Sequence, residues 1–253
     1  MSIFRLLFLL IILFTIGTIG GCDNDDDDQK IVELLCPEIN LNSDVCDPET
    51  GGPFSLEGAS EFFPLVVGNM SVLEGVDEDD EGEEVEIRIE SNVLDETVMV
   101  AGVETRVVEE SEFEDDELVE VARDFYAVLE DGTVCYFGED VDNYEDGMVV
   151  DHEGEWRAGE NGNKPGIIMP GDPQVGQIYR QEDAPGVAED QAENIALGEE
   201  LDVPAGVFDN TLNVEDCNPL EEDARDEKVY VSGIGIAKDE AAELVSFEEE
   251  IEE

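Results

Sequence analysis

Within residues 83–90, Val85, Ile87 and Ile89 alternate with Glu84, Glu86, Arg88 and Glu90. A strand repeats its side-chain direction every two residues and a helix about every 3.6, so this run has a clean apolar face only as a β-strand. The alternation returns over 118–129, after an apolar stretch at 97–109 that Ala101-Gly102 divides into two short strands. Residues 110–117 are mostly acidic and read as a loop. Glu130-Asp131-Gly132 then turns the chain back into 133–138, the clearest hairpin signal in the sequence.

Further strands follow at short intervals. Tyr144-Glu145-Asp146-Gly147 leads into 148–151, and His152-Glu153-Gly154 into 155–157. Residues 161–173, rich in Gly and Pro, read as a loop without the strand-to-helix context of a phosphate cradle. Residues 176–181 resume a strand, and 187–197 fits either a strand or a short helix. The last third reads as strands at 199–203, 211–217 and 228–238, the last with a Gly-kinked edge at Ser232-Gly233-Ile234-Gly235-Ile236. Residues 243–247 add one more before an acidic end. The fold class expected is mainly β: a single antiparallel curved sheet or open barrel-like domain over 61–253, with at most one or two short helices.

Charge narrows the partners. The chain has 70 Asp and Glu against 11 Lys and Arg, a formal net charge of -59. Such a charge suggests disorder, but here the acids alternate with Val, Ile, Leu and Phe, which disordered segments lack. The expectation is a folded domain with an intensely acidic surface. It repels nucleic-acid phosphates and anionic headgroups, so nucleic acid is not an expected partner. Like charges also oppose compaction, and a saline habitat or bound cations would ease folding.

The N-terminus gives an address. Residues 1–5 carry one positive charge at Arg5, residues 6–16 form an apolar run of export-signal length, and Ile19-Gly20-Gly21-Cys22 follows. This stretch resembles the lipobox of bacterial lipoprotein precursors, where an aliphatic residue and two small ones precede the modified Cys. The resemblance implies that 1–21 is a signal peptide and that Cys22 becomes the lipid-attachment site and the mature N-terminus. It places the protein outside the cytoplasm, held to a membrane by covalent lipid and facing the periplasm or cell exterior, at about 0.8 kcal/mol per buried methylene.

After Cys22 comes the like-charged run Asp23-Asn24-Asp25-Asp26-Asp27-Asp28, and the Pro-, Gly- and Asn-rich composition continues to residue 60. Residues 22–60 therefore read as a flexible acidic tether. Export exposes the chain to oxidation, which favours disulfides. Cys36 and Cys46, ten positions apart around turn-forming residues, are the first expected pair; Cys135 and Cys217 are the second, or are buried thiols.

Phe62-Phe63-Pro64-Leu65 with Gly68-Asn69, Pro204-Ala205-Gly206 with Phe208, and Tyr230 with Gly233-Ile234-Gly235 resemble a loosely defined set of uncharacterised bacterial envelope lipoproteins over residues 61–245. These are turn and core signatures with no catalytic residue among them. That set often has a Trp after the Gly-Asn, where this chain has Met70-Ser71.

Two groups invite a chemical reading. Asp142, Tyr144, Asp146, Gly147, Val149 and Glu153 fall at EF-hand-like positions, but Tyr144 offers calcium no short-chain oxygen and the flanks read as strands. His152, the one His, sits among Asp151, Glu153 and Glu155 with no nucleophile motif nearby, and reads as a turn residue. The expected function is a non-enzymatic binding or interaction module in the envelope, without cofactor or metal site. Its expected partner is a hydrophobic ligand in an apolar concavity, or an envelope protein. A calcium-dependent structural protein and a hydrolase are the alternatives.

Overall fold

The computed structural model describes residues 36–56, 58, 60–78, 82–220 and 225–249. The expected signal peptide, Cys22, the tether to residue 35 and the last four residues lie outside that range.

Among the described residues the helical content is a 3-10 turn at Ser43–Cys46. There follow β1 (Phe54–Ser55), β2 (Met70–Glu78), β3 (Glu84–Val100), β4 (Val103–Glu114), β5 (Glu117–Leu129) and β6 (Val134–Glu145). Short strands β7 (Met148–Asp151) and β8 (Trp156–Arg157) pair back onto β6, and β9 (Lys164–Met169), β10 (Ile178–Arg180), β11 (Glu182–Asp183) and β12 (Gln191–Leu197) come next. The hairpin of β13 (Leu201–Val203) and β14 (Gly206–Phe208) precedes β15 (Thr211–Cys217), β16 (Arg225–Val231), β17 (Gly235–Asp239) and β18 (Ala242–Glu248).

Thirteen strands form one curved antiparallel sheet in the order β10-β12-β15-β16-β17-β18-β2-β3-β4-β5-β6-β9-β11. Its two ends are consecutive pieces of chain. Residues Ile178, Tyr179 and Arg180 pair with β12, and after Gln181, residues Glu182 and Asp183 pair with β9. The sheet thereby nearly closes on itself, which removes most of its exposed edge. The seam depends on Gly166 of β9, where a Cβ would stand 2.0 Å from the Gln181 carbonyl oxygen.

The expected mainly β, barrel-like class holds, while several elements fall differently. Residues 110–117 are two strands joined by the Asp115-Asp116 turn, whose φ values of 48° and 65° suit a tight hairpin. Their acids alternate across the sheet, so acidity does not unmake the strand. The 161–173 segment contains β9, with Pro165 at its second position, paired to Glu182 of the short strand β11. The ambiguous 187–197 stretch supplies a strand, and 228–238 is two strands, β16 and β17, turning at residues 232–234.

The tether expected to run to residue 60 ends earlier, because residues 36–56 belong to the domain. Asn40 and Leu41 donate their amides to the Ile178 carbonyl at 3.0 and 2.9 Å, and the Ile178 amide donates back to Asn40 Oδ1 at 2.9 Å. Phe54-Ser55 pairs with Val128-Leu129 of β5, and the Phe54 ring meets Phe137 edge-on at 5.5 Å. The disulfides follow this path and overturn the expected pairing. Cys36 is bonded to Cys217, and Cys46 to Cys135. The segment is laid along the sheet, so each of its cysteines meets a strand cysteine before it meets the other.

The main core surrounds the β4–β5–β6 sheet on both faces. Val107, Phe125 and Phe137 are fully buried beneath the N-terminal segment, and Tyr126, Tyr136 and Trp156 pack together on the opposite face. Each such aromatic contributes about 1.5–3 kcal/mol on burial. A smaller cluster of Leu73, Val203, Val231, Ala237, Ala242 and Leu244 packs near the β13–β14 hairpin.

Candidate functional site

Register places one set of side chains together on the face that carries Tyr126 and Tyr136. On β4 and β5, Glu110 stands opposite Ala122 and Glu112 opposite Glu120; on β5 and β6, Asp124 stands opposite Glu139. Directly opposed residues have Cβ atoms about 4.5–5.5 Å apart, a distance at which like charges destabilise a sheet. The same face of β15, β16 and β17 carries Asp216, Lys228 and Asp239.

This face is concave. Asp239 and Lys228 act electrostatically on Glu110 and Glu112, although β17 lies four strands from β4 in the sheet. At about 4.8 Å per strand that is about 19 Å around the sheet, so the face must curl to bring these groups within reach of one another.

The two walls differ in how their carboxylates are balanced. On the β15–β17 wall, Lys228 Nζ lies 3.2 Å from Asp216 Oδ2 and 3.7 Å from Asp239 Oδ2. Asp239 and then Asp216 hold the ammonium's pKa well above its usual value. Burial pushes the Asp216 carboxyl up to about 6, and Lys228 opposes that rise. On the β4–β6 wall the buried Asp124 accepts from the Tyr136 hydroxyl at 2.9 Å. Burial raises it to about 6 against the hydrogen bonds of Tyr136 and Tyr126. Burial also raises Glu120 to about 7 and Glu110 to about 8, with the Asp124 charge adding in both. Glu112, Glu139 and Glu182 are raised well above the usual carboxylate range for the same first reason. Trp156 Nε1 donates to Glu182 at 3.3 Å. Among the described residues no donor or cation comes within hydrogen-bond or ion-pair distance of the Glu110, Glu112 or Glu120 carboxylates.

Gly138 makes this arrangement possible. Its φ of 124° sits in the irregularity between Asp124 and Tyr126 on β5 and their β6 partners, which lets both Tyr136 and Glu139 face the concavity. A Cβ there would stand 2.2 Å from the Trp156 carbonyl oxygen.

The residues singled out in the sequence lie elsewhere. His152 sits on the convex side, in an open depression of about 440 Å³ with Arg123, Asp140, Asp142, Glu155 and Arg157. Each cation there has a partner: His152 Nδ1 is 2.7 Å from the Val141 carbonyl and 3.0 Å from Asp142, Arg157 lies on Asp140 at 2.5 Å, and Arg123 on Glu96 at 2.5 Å. The EF-hand-like residues form the β6–β7 hairpin and the turn after it, with no helix on either side. Among the described residues no three Asp, Glu, His or Cys side chains converge as a metal site. Cys22 lies outside the described residues, and the other four cysteines are the two disulfides.

The acids of β4 are hidden in the sequence because the acidic composition of 110–117 signals a loop. The available signal is the alternation of Glu110, Glu112 and Glu114 with Ser111 and Phe113, which a strand splits between its two faces. No protein-family model, curated protein or solved structure matches this chain. Its function is therefore argued from its own residues.

Proposed function

We propose that this chain is a lipid-anchored envelope protein whose barrel-like domain is a non-enzymatic binding module, with its ligand held on the concave face. Ile19-Gly20-Gly21-Cys22 supports the anchor. The observation that carries the binding reading is the uncompensated carboxylate set Glu110, Glu112 and Glu120 inside the concavity, beside the opposed pair Asp124 and Glu139. Solubility and salt tolerance account for acids on an outer surface; they do not account for like charges directly opposed on a shielded face. The polarity of that face moves the expected occupant from a hydrophobic ligand to a cationic one.

In this reading the net charge keeps the domain away from anionic headgroups, and membrane contact is left to the lipid on Cys22. Two experiments test the two halves. Mass spectrometry of the mature N-terminus should find Cys22 carrying a diacylglyceryl thioether; an unmodified Cys22 within an uncleaved or differently cleaved chain would refute the anchor. Thermal melting at matched ionic strength should show stabilisation by some multivalent cation that is lost when Glu112 is replaced by Gln. Melting that responds only to ionic strength would refute the binding site.

A further inference from the structure

The spacing of the concave carboxylates names a ligand class, resting on the reading of that face as a binding site. Glu112 faces Glu120, Glu110 faces Ala122, and Asp124 faces Glu139, so acids occur at three successive inward levels of the β4–β5–β6 wall. Positions 120 and 124 are four residues apart, about 13 Å at roughly 3.3 Å per residue. Carboxyl groups that an arriving cation can hold ionised are thus laid out along a line parallel to the strands.

The facing wall supplies an independent sign of a missing donor. Asp216 is 8% exposed, and while its Oδ2 takes Lys228, its Oδ1 is buried with no hydrogen-bond partner. Leaving an anionic oxygen without a donor away from water costs more than an ordinary lost hydrogen bond. Asp216 borders the same space as the opposed pairs, since Lys228, 3.2 Å from its Oδ2, acts electrostatically on Glu110, Glu112 and Asp124.

Lys228 is the chain's own example of what this face takes: an alkyl ammonium between two carboxylates. Aromatic rings stand beside the acids, with Tyr126 and Tyr136 stacked at 4.8 Å and Trp156 edge-on to Tyr136 at 5.3 Å. The faces of such rings attract an organic cation. A calcium ion asks for six to eight oxygens converging on one point, whereas these carboxylates are spread along a line.

We propose that the concave face binds a linear polyamine, its ammonium groups taken by Glu112 with Glu120, by Glu110, and by Asp124 with Glu139, and its flank donating to Asp216 Oδ1. The carboxylates on the β4–β6 wall accept charge-assisted hydrogen bonds from successive amines, and the methylenes between amines lie against the tyrosine rings.

The test is titration calorimetry of the domain with spermidine, and separately with calcium chloride, at matched ionic strength. Glu112→Gln, Glu120→Gln and Asp216→Asn are compared with the exposed-acid control Glu200→Gln, each variant being checked for a cooperative melt. Three conservative variants on two walls guard against one that fails to fold. The proposal expects one spermidine per chain, an affinity weakened at least about tenfold by each concave variant that folds, and no change in the control. Variant-sensitive binding of calcium with equal or greater affinity would overturn the polyamine and leave the cation-binding reading standing. Binding of either probe that the control weakens as much as the concave variants, or no binding, would overturn both.

Discussion

The hydroxyl of Tyr136 donates to Asp124 Oδ1 at 2.9 Å, and both side chains are buried. The bond joins the aromatic core to the carboxylate face, because Tyr136 also stacks on Tyr126 while Asp124 stands opposite Glu139. Tyr136→Phe keeps the packing and removes the donor. It should cost about 1–3 kcal/mol in urea unfolding, as expected for a buried acceptor losing its partner. It should also move the Asp124 titration above about 6 in a carboxyl NMR titration, since the hydrogen bonds now hold it down. Unchanged stability with an unchanged titration would remove Asp124 from the buried network.

Stability should fall as pH rises across the neutral range. In the folded protein Glu110, Glu120, Asp124 and Asp216 keep protons up to about 8, 7, 6 and 6, above their ordinary values of 4.5 and 3.8. Between those limits the folded state binds more protons than the unfolded one, so their contribution is complete in acid and is lost as pH climbs through the folded values. His152, raised by the Val141 carbonyl, acts in the same direction. Asp47, lowered by the Glu49 amide, opposes only at pH near 3.8 and below. The melting temperature should drop by at least about 5 °C from pH ~5 to pH ~9 in low salt, at roughly 2–4 °C per kcal/mol for a domain of this size. A melt that rises with pH over that interval would contradict the buried acids.

The disulfides should be found as Cys36–Cys217 and Cys46–Cys135 by peptide mapping without reduction. They span 181 and 89 residues, and on the chain-entropy model each cross-link restricts the unfolded chain by roughly 4–5 kcal/mol, an upper figure because the loops overlap. Reduction should therefore lower the melting temperature strongly. A Cys36–Cys46 peptide would return residues 36–56 to the status of a tether.

Gly166→Ala should open the seam of the sheet. The added methyl would meet the Gln181 carbonyl oxygen at 2.0 Å, a backbone atom that cannot swing aside. A loss of about 3 kcal/mol is expected, at the upper end for an overpacked site, with faster amide exchange in β9, β10 and β11 on either side. Wild-type exchange in those strands would show that the closure tolerates a side chain.

Much of the fold was legible because alternation survives extreme charge. Val85, Ile87 and Ile89 mark β3, and the Ala101-Gly102 and Glu130-Asp131-Gly132 turns fall where the composition puts them. What escaped was whatever required partners. The cysteine pairing depends on the path of residues 36–56 across the sheet, which spacing does not reveal. β9 was hidden by Pro165 and Gly166, whose composition signals a loop; Gly166 is there because two backbones approach closely. The candidate site escaped for the same reason. Glu112 and Glu120 are eight residues apart in the chain and become a pair only through the Asp115-Asp116 turn and the register it sets.

As a ligand site, the concave carboxylates are kept at a cost in stability. The most direct test is the melting temperature of the Glu112→Gln, Glu120→Gln double variant, without ligand, near pH 8 and in low salt. It should melt higher than the wild type, because two directly opposed acids on a partly shielded face have become permanently neutral, and it should no longer respond to spermidine. A lower melting temperature with the spermidine response intact would show that these carboxylates hold the fold together and that the ligand, if any, binds elsewhere.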